Sequence, residues 1–195
     1  MITIFKSKAQ KRKGFTLIEL VVTVTIFAFM TALLLAKYGK FNQDVLLTNL
    51  AYDVALTIRN AQTFGLNVRV DPQTLTAFDR AYGVHFLPGN SFTFFADANG
   101  NSTYDAGEEI GSPYIIRRTN LTISKVCGFS GATCNTTDQT MLDVLFRRPD
   151  PNAIIRATTN GTSYTVYSAA NITLTSSDGY TRVILIRSTG QIAVI

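Results

Sequence analysis

The chain is poor in the residues that most chemistry needs. His85 is its only histidine, and Cys127 and Cys134 are its only cysteines among 195 residues. A zinc site needs about four ligands, and His85 lies far upstream of the cysteine pair, so no zinc motif is present. No Ser–His–Asp or Cys–His arrangement has supporting context, and no glycine-rich phosphate loop appears. Internal repeats and low-complexity tracts are absent too. An enzyme is therefore not expected.

Acid is missing from one place in particular. Residues 1–13 hold Lys6, Lys8, Lys11, Arg12 and Lys13 and no Asp or Glu. Those five are taken from 18 basic residues, which leaves 13 against 13 acidic ones in the rest of the chain. The net charge of +5 and pI near 9.3 thus report a basic leader. The balanced body gives no support to a nucleic-acid interface.

Glycine and proline are missing from residues 15–36, "FTLIELVVTVTIFAFMTALLLA", which carry a single charge, Glu19. Twenty-two such residues make a helix of roughly 33 Å, close to a bilayer's hydrocarbon thickness. A cleaved secretory signal has a shorter apolar core and a small-residue cleavage site. The upstream cations hold the N-terminus in the cytoplasm, which predicts a single-pass protein with its body outside.

No proline interrupts the next stretch, and Gly39 is the only glycine between Phe15 and Phe64. Val45, Leu46, Leu50, Val54, Ile58 and Ala61 recur at helical spacing, so residues 37–65 read as an amphipathic continuation, with Gly65 as its C-cap. Residues 66–195 then change texture. Short β-branched and aromatic runs such as "NVRV", "YGVHF", "SFTFFA", "YIIRR", "LDVLF", "ITLTS" and "TRVILIR" alternate with turns such as "PGN", "DANGN" and "SSDG". The expected fold class is α+β: a long N-terminal helix, transmembrane then amphipathic, packed on an antiparallel β-sheet domain.

Lys13-Gly14-Phe15-Thr16-Leu17-Ile18-Glu19-Leu20-Val21-Val22, behind a basic leader, resembles the start of type IV pilin and type II secretion pseudopilin precursors. The resemblance implies that prepilin peptidase cuts between Gly14 and Phe15, removing residues 1–14. It also implies N-methylation of Phe15 and assembly with other pilin or pseudopilin subunits into a filament. The protein would first sit in the bacterial inner membrane, then in a periplasmic pseudopilus or a surface pilus. A carboxylate among apolar residues costs about 2.5–3.5 kcal/mol at a bilayer centre and less near its edge. A neighbour's N-terminal amine can neutralise Glu19 on leaving lipid, which makes Glu19 an assembly and register residue.

Beyond the leader, "LAYDVALTIRNAQTFGLNVRV" and "YGVHFLPGNSFTFFADANGNSTYDAGEEI" resemble the minor pseudopilin H and FimT-type group, with the match on Arg59, Ala61, Phe95, Asp97, Asn99, Gly100, Asp105, Gly107 and Glu108. In some members of that group DNA uptake is ascribed to basic residues near a C-terminal Gly-Arg step. This chain has Gln191 after Gly190, with only Arg182 and Arg187 nearby, so a DNA receptor is the alternative function and nucleic acid is not an expected partner.

Two local features have open readings. "CGFSGATC" suits a short disulfide between Cys127 and Cys134 in an oxidising compartment, or two unpaired thiols. "DANGNSTYDAGE" sets Asp97, Asn99, Asn101, Asp105 and Glu108 at positions 1, 3, 5, 9 and 12 of a calcium-type loop, with Ser102 where the turn glycine belongs. Calcium is a candidate cofactor there, though none is required, and the other reading is a metal-free Asx-turn hairpin. His85 reads as a packed or half-exposed residue of a strand, not as a ligand or base.

Overall fold

The computed structural model describes residues 14–67, 80–117, 120–131, 134 and 139–195, with no side-chain description for 36–41. The basic leader to Lys13 and residues 68–70 of the expected strand "NVRV" lie outside that set. Two compact units divide the chain at Phe41–Asn42. One α-helix, α1 (Leu17–Leu66), contributes to both.

In the first unit, α1 starts at a polar cap. Thr16 Oγ1 accepts the Glu19 N–H at 3.3 Å, the spacing of a capping box. Leu17–Leu35 has a mean hydropathy of 2.3 and is uncovered along its length. Its threonines do not spoil it for lipid, because each hydroxyl turns back onto the helix. Thr23 donates to Leu20 O, Thr25 to Val21 O and Val22 O, and Thr31 to Phe27 O. A hydroxyl bonded in this way needs no water.

The second unit packs the rest of α1 against two antiparallel sheets, where a single sheet was expected. The strands are β1 (Tyr82–Phe86), β2 (Ser91–Ala96), β3 (Tyr114–Ile115), β4 (Leu121–Phe129), β5 (Met141–Arg147), β6 (Asp150–Thr158), β7 (Thr165–Tyr167), β8 (Ala169–Ser176), β9 (Thr181–Arg187) and β10 (Ile192–Val194). Six form a sheet in the order β3-β2-β1-β5-β6-β7, and four form one in the order β10-β9-β8-β4. Period-2 alternation turns Val84, Phe86, Phe92, Leu142, Val144, Phe146 and Ile155 inward from the first sheet. Val126, Ile172, Leu174, Ile184 and Ile186 face them from the second. Leu47, Leu50, Ala51, Val54, Ile58 and Ala61 of α1 complete that core.

Three sequence expectations need correction. Val45 is 39% exposed, and Leu47 fills the core position instead, because the buried stripe runs through 47, 50, 54, 58 and 61. Gly65 is not a C-cap, since α1 continues to Leu66. It is instead a close-approach residue: a Cβ there would lie 2.3 Å from Phe146 O, and Gly65 O accepts the Arg148 N–H at 3.1 Å. Finally, β6 has no counterpart among the expected strands. Pro149, Asp150, Pro151 and Asn152 read as a turn and conceal the alternation of Ala153, Ile155 and Ala157 that follows.

Candidate functional site

The residues of the candidate processing and assembly site lie at the start of α1. Among the described residues, nothing lies within 4 Å of where a Cβ would stand at Gly14. Phe15 is 76% exposed, and Glu19 is exposed one turn further on. Glu19 thus does two things locally: its N–H caps against Thr16, and its carboxylate sits in the first turn, where the helix dipole favours an anion. Thr16 is the residue that sequence reasoning passed over. Its signal was the Thr-x-x-Glu spacing.

Asp97, Asn99, Asn101, Asp105 and Glu108 do meet in one loop, between β2 and β3, and the loop's own donors engage them. Asp97 Oδ1 accepts the Gly100 N–H at 2.8 Å, and its Oδ2 accepts the Ser102 N–H at 3.0 Å. Glu108, buried, takes the Ala98 N–H on Oε1 at 2.7 Å and the Asp105 N–H on Oε2 at 3.1 Å. Asn99 and Asn101 both donate Nδ2 to Asp105 Oδ2, at 2.8 and 2.7 Å. Two amide donors therefore converge on one Asp105 oxygen. Ser102 has φ +62°, the left-handed turn that a glycine would adopt without strain. Among the described residues, no group of three or more His, Cys, Asp or Glu side chains is arranged to hold a metal ion.

Tyr104 fastens this loop to the outer face of the first sheet. Its ring lies 4.5 Å from that of His85 and packs edge-on to Phe95. Its N–H donates to Asp143 Oδ2 at 3.2 Å, and its hydroxyl bonds Glu109. Asp143 is fully buried, and its Oδ1 lies 2.5 Å from His85 Nδ1. Pairing registers set Thr93, His85, Asp143 and Arg156 side by side across four strands. His85 is thus a packed histidine with a buried partner, and Asp143 is a residue that sequence reading did not single out. Burial, then the Glu109 bond, pushes the Tyr104 hydroxyl up to about 12. The same bond holds the Glu109 carboxyl below its ordinary value.

The structure joins Cys127 and Cys134, their Cα atoms 6.1 Å apart. Cys127 is buried within β4. Next to it, Gln139 clasps Gly128 in both directions, its Nε2 donating to Gly128 O at 3.1 Å and its Oε1 accepting the Gly128 N–H. A side-chain amide here does what a strand neighbour would do.

Residues 9–35 match the family model described as the prokaryotic N-terminal methylation motif. The chain carries this motif at its N-terminus. That match supports a type IV pilin-like precursor, and the α+β fold with one long N-terminal helix agrees with it. No curated protein matches the chain, and no solved structure does.

Proposed function

We propose that the protein is a minor pilin or pseudopilin subunit, cut by prepilin peptidase between Gly14 and Phe15, N-methylated on Phe15, and assembled with other subunits into a type IV pilus or type II secretion pseudopilus. The observation that carries this reading is the motif match over residues 9–35, laid on a helix whose apolar stretch Leu17–Leu35 is uncovered. In the bacterial inner membrane lipid covers that stretch; in a filament other subunits' helices do. Its role is structural, with no reaction assigned. The loop from Asp97 to Glu108 is closed by its own hydrogen bonds, its carboxylates accepting backbone N–H groups.

A DNA receptor finds no favouring observation. Strand registers place Thr122, Thr173, Thr175, Thr181 and Val183 on the outer face of the second sheet, with Lys125 and Arg187 as cations on β4 and β9 of that face. Arg182 is turned the other way and pairs with Asp44 at 2.7 Å. Sequence-independent DNA affinity needs several phosphate contacts.

Intact mass tests the reading. Protein from sheared filaments should begin at Phe15 and carry one added methyl group. A chain that keeps residues 1–14 and is found in membranes alone would overturn it.

A further inference from the structure

We draw no further inference here: the strongest candidate, the groove of about 730 Å³ between Leu46, Leu50 and Asp53 of α1 and the edge strand at Tyr114–Ile115, carries nothing, since nothing in the structure shows what covers it.

Discussion

Glu19 and Thr16 are three residues apart, and this spacing separates two roles that a single substitution would confuse. The backbone cap depends on Thr16 and the Glu19 N–H, so it survives any change of the Glu19 side chain. Under the proposed function, the carboxylate is then left for assembly. If the subunit assembles as proposed, leaving that charge buried and unpaired costs about 3–5 kcal/mol, a cost that a pairing amine on a neighbouring subunit removes. We expect Glu19→Ala and Glu19→Gln to be cleaved like the native chain but to enter filaments at least tenfold less. Immunoblots of processed chain in membrane and filament fractions measure both. Normal incorporation of Glu19→Gln would remove the charge argument. The Asp97–Glu108 loop permits a second test at this scale. Exchanging both amide donors in Asn99→Asp/Asn101→Asp puts two new carboxylates against Asp105, which now accepts both amides. That variant should melt lower than native without calcium and recover when calcium is added. The native protein should not respond to the ion, and a native melting point that rises with calcium would show that the loop binds it.

At the scale of elements, the fit of α1 against the sheets rests on places where backbone meets backbone. Gly65→Ala forces a Cβ onto the Phe146 carbonyl, a rigid neighbour, and should cost about 1–3 kcal/mol as overpacking. Denaturant melts of the second unit, residues 42–195, would read this as a lower midpoint with unchanged slope. The loop-to-sheet latch at Tyr104 has a pH signature. Glu109 titrates lower when folded, so its contribution is present above the ordinary value of 4.5 and is lost as pH falls through the folded value. Tyr104 titrates higher when folded, so its contribution is present below 10.0 and is lost as pH rises towards about 12. The stability gap between native protein and Tyr104→Phe, about 1 kcal/mol at neutral pH, should therefore narrow at both ends. A gap that is flat from pH 3 to pH 11 would mean that the hydrogen bond contributes nothing. Legibility at this scale followed the physics. The apolar run of α1 was readable from its length, and strands such as Tyr82–Phe86 and Ser91–Ala96 from their aromatic and β-branched composition between turn formers. β6 was not, because two prolines at its start outweighed the alternation behind them. Nor was the Asp143 partner of His85, since strand pairing joins residues 58 positions apart and no local pattern reports it.

For the whole molecule, the N-terminal motif was legible because a short stretch combines a basic leader, a glycine and an acid in an apolar helix. The division of the strands into two sheets was not, because short antiparallel strands carry no mark of which sheet they join. The disulfide offers a test that reaches the entire second unit. Cys127 lies in β4, whose partner β8 anchors the four-stranded sheet, while Cys134 belongs to the connection leading to β5 in the other sheet. Closing so short a loop removes denatured-state entropy worth about 2–3 kcal/mol in the chain-entropy model. At about 2–4 °C per kcal/mol for a domain of this size, reduction should lower the melting temperature by about 5–10 °C. Cys134→Ser, which leaves buried Cys127 in its place, should melt at the temperature of the reduced native protein. If reduction does not shift the native melting curve, the connection is held by the Gln139 clasp on Gly128 and not by the sulfur bridge. The Gln139→Ala variant would then show the loss in its stead.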